Sequence, residues 1–560
     1  MLRVAPWFMF GLLVLPVVAG LATIVLPAFG YLPALQHTEP GLAVWVDLLD
    51  TPGIGRSAML SFAAGLLTPL LSLALVMLFL ASASGTRWAH AMRRLVAPLL
   101  AVPHAAAAFG LAFLMAPSGF ALRLISPELS GWQRPPDLLI LNDPLGLSMM
   151  LGMVLKEIPF LLLMALAALP QLNPDQRVAM ARTLGYRPIL AWFWTVAPAL
   201  YPMLRLPLFA VIAFASATVD VALILGPTLP PPLSVRIIGW FSDPDLNQRL
   251  LASAAALMQL AITLSAIGLW IAAEKVVARL YRRVLLSGVR NTGHTLLNIA
   301  GKGLMVLTLG ALLLSLVLLI VHAFAGPWRF PANLPGTWTT QHWLSVGPVL
   351  LTPLRNTMLL ALGSTLLAVV LVIAALEHES RQARAPARLL WAIYLPLLVP
   401  QVVFLYGLTL LLEQLRWLPG LVMVCFAHCL FVVPYVYLSL AEPYRRLDPR
   451  WQQLSATLGV SANRSLWRIK LPMLMAPIAT AGAVGLAVSI GQYLATLLTG
   501  AGRVSTLTTE AVALASGGTR GTIAVWALLQ AAIPMLGFAL AIAWPRFWWR
   551  HRRDMRGQLT

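Results

Sequence analysis

The sequence predicts an all-α polytopic membrane protein with about twelve transmembrane helices. Of its 560 residues, 59% are apolar and only 10% are charged, and the mean hydropathy is +0.83. A soluble protein of this length carries roughly a quarter charged residues. Apolar runs long enough to cross a bilayer recur along the whole chain. A polar segment with a fixed internal spacing occurs twice, which predicts two parallel six-helix repeats.

Each predicted span is an apolar run bounded by polar or charged residues. The first run follows Arg3 and has no A-x-A cleavage site after it, so we expect an uncleaved first helix rather than a signal peptide. The twelve spans are predicted at residues 7–29, 58–82, 97–117, 146–169, 201–226, 250–273, 303–325, 355–376, 389–412, 419–440, 473–499 and 521–545.

The charge distribution predicts the orientation. If both termini are cytoplasmic, most of the 39 lysine and arginine residues lie in cytoplasmic segments, and these segments carry the whole net charge of +20. This agrees with the positive-inside rule. The basic residues therefore reflect insertion into the lipid bilayer and contact with anionic lipids, and we expect no nucleic-acid partner.

The repeat divides the chain into two halves. Residues 1–273 and 303–560 each hold six spans, and a basic cytoplasmic linker, residues 274–302, joins them. Because six is an even number, both halves have the same orientation in the membrane.

The repeated polar segment is a cytoplasmic insert between the fourth and fifth spans of each half. The first insert is "LNPDQRVAMARTLGYRPILAWFWTVAP" (172–198), and the second is "LDPRWQQLSATLGVSANRSLWRIKLP" (447–472). Each begins with an Asx-Pro pair, in which the Asx side chain suits an N-cap and the proline suits the first helical position. Each helix should end at a glycine with positive φ, Gly185 or Gly459. We predict a short surface helix that can transmit force to the adjoining spans.

The second insert resembles a known family. Gly459, nine residues and then "IKLP" (Ile469 to Pro472) are similar to the G-x9-I-x-L-P part of the EAA loop of ABC importer permeases. In that family the loop forms a coupling helix that docks on the ATP-binding subunit. The first insert keeps the glycine and the proline but has Thr195 and Ala197 where Ile and Leu would fit, and both inserts lack the acidic residue of the motif. The resemblance assigns ATPase coupling to Asn173, Pro174, Ala181, Gly185, Pro198, Asp448, Pro449, Ser455, Gly459, Ile469 and Pro472.

Duplication within one chain resembles the fused permeases of thiamine and ferric-iron importers. The stretches "DVALILGPT" (220–228) and "GQYLATLLTGAGRVSTLTTEAVALASGG" (491–518) are similar to the thiamine-transport members. The resemblance implies a subunit in the bacterial inner membrane that works with cytoplasmic ATPase subunits, in two copies, and an external or periplasmic solute-binding protein. It implies a thiamine-like or another small cationic or polar substrate.

The chain itself has no predicted enzymatic site. The Gly301-Lys302 pair is followed by Gly303, so no G-x-x-x-x-G-K-[ST] phosphate-binding loop is formed. We expect no cofactor in this chain and ATP on the partner subunit. No catalytic triad or metal-spaced cluster is found, and Cys425 and Cys429 are expected to be packing residues.

Ionisable residues inside the predicted spans are candidate path residues. Lys156 and Glu157 lie in the fourth span and Asp220 in the fifth, and the matching region of the eleventh span has Gln492. A charge at this depth costs several kcal/mol unless it is paired or hydrated. Two interpretations remain open: Lys156 pairs with Asp220 across helices, or Glu157 and Asp220 line a translocation path for a cationic or polar solute.

A secondary transporter is the alternative function, because that class also has six-plus-six repeats. It would need no docking loop after the fourth span, and its G-x-x-x-D-R-x-G-R-R loop is absent after the second span.

Overall fold

The computed structural model describes residues 4–83, 86, 96, 98–288, 290, 294–382 and 387–550. Within these ranges the chain is α-helical, and the β-structure consists of two isolated bridges, Leu32 with His37 and Ala325 with Trp338. The predicted all-α class is confirmed.

The helices are numbered in chain order. Those before the linker are α1 (Ala5–Ala28), α2 (Ala43–Asp50), α3 (Ile54–Ala83), α4 (His104–Met115), α5 (Phe120–Leu124), α6 (Leu147–Ala168), α7 (Pro174–Thr183), α8 (Pro188–Thr195), α9 (Ala197–Ser216), α10 (Asp220–Leu225), α11 (Leu233–Phe241) and α12 (Gln248–Leu286). Those after it are α13 (His294–Phe324), α14 (Gln341–Gln382), α15 (Ala387–Leu398), α16 (Gln401–Gln414), α17 (Leu421–Arg445), α18 (Arg450–Thr457), α19 (Ala462–Ser465), α20 (Leu471–Met473), α21 (Met475–Ile490), α22 (Leu494–Gly500), α23 (Leu507–Ala513) and α24 (Arg520–Trp548).

The number of membrane-spanning helices agrees with the prediction. Ten helices in the described part of the chain are long and apolar enough to span, and two bent pairs raise the number to twelve. The bent pairs are α15 with α16, at 94°, and the segment Ala462–Met473 with α21, at 75°. Regular helix also extends into the predicted linker, because α12 continues to Leu286 and α13 begins at His294.

The fifth and eleventh spans are not continuous helices, although they were predicted as such. They break at 217–219 and 491–493, the same position in each half. At the breaks, side chains of neighbouring helices donate hydrogen bonds to backbone carbonyls that would accept from amides in a continuous helix. Gln259 donates to the Ser216 carbonyl, Ser234 to that of Thr218, and Thr508 to that of Ile490. A break at membrane depth is tolerated where other protein groups satisfy the backbone.

The two halves are intertwined through their first helices. α1 packs against α14, α15 and α16 of the second half, and α13 packs against α3 and α4 of the first half. The crossings use small residues: a β-carbon on Gly20 or Gly407 would overlap the other helix's backbone, and one on Gly110 would lie 2.6 Å from the Ser315 carbonyl oxygen. The first helix of each half therefore packs closely on helices of the other half.

Candidate functional site

Both inserts contain a short helix closed by the same hydrogen-bonded glycine turn. Gly185 has φ +89° and Gly459 has φ +71°, so the prediction of positive φ is confirmed at both positions. In the first insert the amides of Gly185 and Tyr186 donate to the carbonyls of Arg182 and Ala181. In the second the amides of Gly459 and Val460 donate to those of Ala456 and Ser455. This is the Schellman arrangement, in which a left-handed residue ends the helix.

The helix starts differ from the predicted Asx capping. α7 does begin at Pro174, but Asn173 has φ +47° and its side chain caps no amide, because a side-chain cap needs an N-cap residue in the extended region. α18 begins at Arg450, so Pro449 occupies the N-cap position instead of the first helical one. The Asp448 carboxylate accepts from the Arg450 amide at 2.9 Å. The predicted side-chain cap is therefore wrong in the first insert and displaced by one residue in the second.

Each short helix buries one small residue. Ala181 is buried in α7 and Ser455 in α18, at the third of the three positions that align with the EAA motif. The Ser455 hydroxyl donates to the Ser465 hydroxyl at 2.9 Å. A larger side chain at either place would overfill a packed contact.

The other side of each short helix is apolar and exposed. α7 exposes Met180, and Leu184 follows one turn later. α18 exposes Trp451 and Leu454, with Leu458 next in the same direction. Residues at these spacings share a helix face. Each insert thus presents an apolar patch outside the membrane-spanning bundle.

The returning segments lead into the membrane helices at the predicted prolines. Pro198 lies in the first turn of α9, where a missing amide donor is tolerated. Ile469 lies in a π-helical turn, Leu466–Lys470, and Pro472 in the short helix α20 that follows it. Single π-turns are rare and often occur at functional sites.

A buried ion pair ties the second insert to two membrane helices. The Lys470 ammonium is 2.8 Å from the Glu377 carboxylate of α14, whose side chain is 0% exposed. Tyr444 of α17 donates to the same oxygen at 2.6 Å, and Arg381 donates to the other oxygen at 2.7 Å. We call Glu377, Arg381, Tyr444 and Lys470 the Glu377 cluster.

A more exposed ion pair ties α9, the helix that follows the first insert, to α12. Arg205, in the helix that follows the insert, is 2.9 Å from Glu274, and its side chain is 43% exposed. Tyr201 also donates to Glu274, and the Trp270 indole donates to the Tyr201 hydroxyl at 2.9 Å. Further along α12, the Tyr281 hydroxyl donates to the Trp194 carbonyl of the insert. We call Tyr201, Arg205, Trp270 and Glu274 the Glu274 cluster.

The candidate path residues do not form the cross-helix pair that was considered. The Lys156 ammonium donates to the carbonyls of Leu99 and Leu100, both at 3.1 Å, rather than to Asp220. Glu157 is buried and lies 3.3 Å from the His104 ring. The pairing interpretation of Lys156 with Asp220 is wrong, because the ammonium already has two acceptors on another segment.

Asp220 and Gln492 both lie at the helix breaks. Asp220 begins the short helix α10 and accepts a hydrogen bond from the Thr218 hydroxyl at 3.2 Å. The far end of α10 is held by Ser148, which donates to the Leu225 carbonyl and also to Asp143. Burial raises the pKa of Asp143, but the hydrogen bonds from Ser148 and Leu147 outweigh it, and its pKa lies below the ordinary value. The short helix that follows the break in the fifth span is therefore held in place by hydrogen bonds from the start of α6.

No family model matches the chain. It is similar to the inner membrane ABC transporter permease protein YnjC of Escherichia coli K12, with 29% identity over 537 residues, 95% of this chain and 94% of that protein. The chain therefore resembles an ABC transporter permease over nearly its whole length. Two relatives match over shorter parts of this permease. They are the thiamine transport system permease protein ThiP of Escherichia coli K12, at 31% identity over 26% of the permease and 28% of ThiP, and a spermidine/putrescine transport system permease protein PotC homolog of Mycoplasma genitalium, at 27% identity over 34% and 67%.

These homologues indicate a permease subunit of an ABC importer, a class of membrane subunit that is not itself an enzyme. The similarity over nearly the whole length, together with the apolar helices, identifies the permease as a multi-pass inner membrane protein. It does not support the alternative of a secondary transporter.

Sequence reasoning missed the two clusters that fasten the inserts of the permease. Glu377 was assigned to the first residue of a cytoplasmic segment, and Glu274 to the first residue of the linker. An acidic residue at the end of a predicted span, with a basic residue in or just after the insert of the same half, was the available signal. This signal does not identify which basic residue pairs with the acidic one, because the two residues lie far apart in the sequence.

Proposed function

We propose that this chain is the transmembrane subunit of a binding-protein-dependent ABC importer, which forms the translocation path and is coupled to a separate ATPase through its two inserts. The observation that carries the proposal is the shared construction of the inserts. Each has a short helix, a left-handed glycine turn, one buried small residue and an exposed apolar face.

The exposed faces support docking of cytoplasmic ATP-binding subunits. An apolar helix face that lies in a partner's groove buries its anchors at i, i+3, i+4 and i+7. Trp451, Leu454 and Leu458 have this spacing in the second insert. Because both inserts lack the acidic residue of the EAA motif, burial of these apolar side chains would supply the binding energy instead. Two inserts imply two docked ATPase copies, with ATP bound on them and no cofactor in the permease.

The two clusters support transmission of force into the bundle. A displacement of the second insert would reach α14 through Glu377 and α17 through Tyr444. A displacement of the first would reach α12 through Glu274 and Tyr281. Rigid elements joined by fully paired polar groups transmit such a shift because the alternative arrangements leave buried charges unpaired.

The substrate we propose is a small cationic or polar solute, with a thiamine-like compound as one candidate. The partial similarity to ThiP and the two carboxylates at Glu157 and Asp220 support it. A solute-binding protein would deliver it on the external side, and both termini would lie in the cytoplasm.

The coupling role is tested by replacing Gly459 with valine in the complex reconstituted with its ATP-binding subunit. Valine in the left-handed region costs about 1–3 kcal/mol, so the helix end must move. We expect normal abundance in the membrane, loss of transport and loss of ATPase stimulation by the loaded binding protein. Gly185→Val should act in the same direction but more mildly, because the first insert departs further from the Ile-x-Leu-Pro pattern.

Two controls separate coupling from general strain. Gly459→Asn should retain most of the activity, because asparagine tolerates the left-handed conformation. Gly288→Val introduces the same strain outside both inserts, at φ +68° with no atom within 4 Å of an added β-carbon, and should leave coupling intact. Wild-type coupling in Gly459→Val would exclude the second insert as the transmission element.

A further inference from the structure

The sixth span of each half begins with an arginine that bonds to the end of the other half's third span. In the first half, Arg249 is the second residue of α12 and forms an ion pair with Glu413, near the end of α16. In the second half, Arg520 is the first residue of α24 and donates to Ser118, which follows α4. We call the pair Arg249 and Glu413 the Glu413 clasp, and the pair Arg520 and Ser118 the Ser118 clasp. The two clasps join corresponding places of the duplicated chain.

The Glu413 clasp contains an ion pair and a hydrogen-bonded tyrosine. Nη1 of Arg249 is 2.6 Å from the Glu413 carboxylate, and the guanidinium lies 5.5 Å from the centroid of the Phe241 ring. The Tyr406 hydroxyl donates to the Arg249 carbonyl at 2.7 Å. One turn further along α12, the Ser253 hydroxyl is 2.9 Å from that of Tyr406. Both the side chain and the backbone of Arg249 are therefore bonded to α16.

The Ser118 clasp is built from two arginines that meet on one residue. Arg520 of the second half donates to the Ser118 carbonyl at 3.3 Å and also to the Ser118 hydroxyl. Arg123 of the first half donates to the same carbonyl at 3.1 Å. The rest of the Arg123 guanidinium donates, at 2.8–3.2 Å, to carbonyls of the second half, those of Trp328, Arg329 and Ala332. Each half thus contributes a guanidinium that bonds to the other half.

Both clasps lie at the end of the bundle away from the inserts. Glu274, which contacts the helix after the first insert, lies about 37 Å further along α12 than Arg249 at 1.5 Å per residue. In the described part of the chain, the side-chain hydrogen bonds between residues 1–273 and 303–548 all belong to the two clasps and their immediate neighbours. This end is the external one in the proposed orientation.

The clasps are not what assembles the halves. The first helix of each half packs on the other half through small residues such as Gly20 and Gly110. In the Glu413 clasp, by contrast, the side chains of Arg249 and Glu413 are 22% and 40% exposed. An ion pair this exposed adds little to stability, because water solvates both charges when it opens. The clasp can therefore open while the halves stay together.

We infer that the two clasps form a paired latch, which closes the contact between the halves at the external end and has to open before a solute enters. The duplication supports a shared role, because a movement that separates the external ends of two parallel repeats breaks both clasps at once. The inference rests on the proposed function, since it takes the contact between the halves as the translocation path. It names the residues that hold the externally closed state.

The first test measures how fast the contact behind the Glu413 clasp is reached from outside. In the full chain, Cys425 and Cys429 are replaced by alanine and Ser253, which is 0% exposed, by cysteine. A neutral, membrane-impermeant maleimide is added to spheroplasts that contain the permease. Glu413→Gln should speed the modification about two- to fivefold, because it weakens the latch. A neutral reagent keeps the change of charge from altering the rate directly.

A charge exchange separates the ion pair from packing. Arg249→Glu places two carboxylates together and should speed the modification more than Glu413→Gln does. Combining Arg249→Glu with Glu413→Arg restores an opposite-charge pair and should return the rate towards the original. An unchanged rate in Glu413→Gln, or a double variant that reacts as fast as Arg249→Glu alone, would overturn the latch. Variants are compared at equal abundance in the membrane.

The Ser118 clasp supplies the reading that a local contact would not give. Arg520→Gln should also speed the modification at position 253, at least about twofold, because both clasps hold the same closed state. Arg56→Gln is the control, since it removes a hydrogen bond to the Pro144 carbonyl at the same end but within the first half. It should leave the rate unchanged. If Arg520→Gln also leaves the rate unchanged, the two clasps are independent local contacts and the inference is wrong.

A cross-link tests whether the latch opens during the ATP-driven cycle. Ser118→Cys and Arg520→Cys are joined by a bifunctional methanethiosulfonate whose spacer matches an arginine side chain. We expect ATP hydrolysis by the reconstituted complex to stop and to return after reduction, with unchanged affinity for the ATP-binding subunit. The matched pair Arg56→Cys and Pro144→Cys, within the first half, should leave hydrolysis intact.

The two readouts separate failure of the latch from failure of the proposed function. The modification rates need neither the ATPase nor a known solute, so they decide the latch by themselves. If Gly459→Val shows that the inserts are coupled and the cross-link still leaves hydrolysis unchanged, the latch does not open in the cycle and the inference falls. If Gly459→Val shows no coupling, the proposed function fails, and the modification rates alone decide the latch.

Discussion

The two inserts are alike in the part that would meet the ATPase and different in the part that holds them to the membrane helices. Both end their short helix at a glycine with positive φ, and both bury one small residue of that helix. The second insert is tied to α14 and α17 through a carboxylate that is 0% exposed. The helix that follows the first insert is tied to α12 through Arg205 and Glu274, whose side chains are 43% and 17% exposed. The two inserts therefore share the geometry of their short helices but differ in the contacts that hold them to the membrane helices.

The residues that form the two clusters occupy different positions in the two halves. Counted from Gly185 and Gly459, Val196 stands where the second insert has Lys470, and Ala479 stands where the first half has Arg205. Neither cluster therefore has a counterpart in the other half. The second insert is bonded to the second and fourth spans of its half, and the first insert is bonded to the sixth span of its half.

This difference in burial also predicts that the two clusters contribute unequally to the free energy of unfolding. A buried carboxylate with three donors is strongly destabilised when one partner is removed, because the remaining charges stay buried. A pair whose arginine is 43% exposed and whose carboxylate is 17% exposed loses less, because water can reach the charge that remains. We therefore expect the second insert to be the more rigidly coupled of the two.

The largest expected effect is that of Glu377→Gln. It leaves Lys470 and Arg381 facing a neutral amide, at a cost of about 3–5 kcal/mol. In the first half, Glu274→Gln should cost less, because Glu274 is 17% exposed and its partner Arg205 is 43% exposed. The measurement is the midpoint of thermal unfolding of the purified permease, together with ATPase stimulation in the complex. Equal losses in the two variants would mean that burial does not distinguish the clusters.

A double variant separates a lost ion pair from a lost fold. Glu377→Gln combined with Lys470→Gln removes both charges, so it should be more stable than Glu377→Gln alone. A coupling energy of about 1–3 kcal/mol in the double-mutant cycle would identify the pair as the source of the effect. Simple additivity of the two single variants would assign the loss to packing instead.

The docking faces should differ by a smaller amount. Trp451→Ala truncates the largest exposed anchor of the second insert and should weaken binding of the ATP-binding subunit by about 2 kcal/mol, or roughly thirtyfold in Kd. Met180→Ala in the first insert should cost about 1 kcal/mol. The affinity is measured with the purified subunits. Trp467→Ala is the matched control, because Trp467 is also exposed in the second insert but lies outside α18.

The spans and the inserts could be predicted from the sequence because each depends on local pattern. Apolar runs fix the number of spans, and the glycines at 185 and 459 fix where the short helices end. The charge on Lys156 was also visible, but its acceptors are two backbone carbonyls, which no side-chain pattern identifies. The sequence therefore placed the charged group correctly and assigned it the wrong partner.

The breaks in the fifth and eleventh spans were not predictable in the same way. The residues there, Ala217 to Val219 and Gly491 to Tyr493, carry no proline, and one glycine and three polar side chains do not by themselves end a span. The breaks depend on distant donors such as Gln259 and Thr508. Such bonds are set by the packing of other spans, and this is also why Asp220 was expected inside a helix and is found at the start of one.

The smallest effects should come from exchanging the buried small residue between the inserts. Ser455→Ala removes the hydroxyl bond to Ser465 and should cost about 0.5–1.5 kcal/mol. Ala181→Ser adds a hydroxyl that can bond to a carbonyl of its own preceding turn, so its cost should stay below about 0.5 kcal/mol. Leucine at either position should cost about 1–3 kcal/mol by overfilling the contact. The unfolding midpoint and the affinity for the ATP-binding subunit report these differences. If Ala181→Ser lowers the unfolding midpoint more than Ser455→Ala does, the two short helices are not packed alike. The similarity of the two inserts would then be limited to their glycine turns and exposed faces, and would not include the packing around the buried small residue.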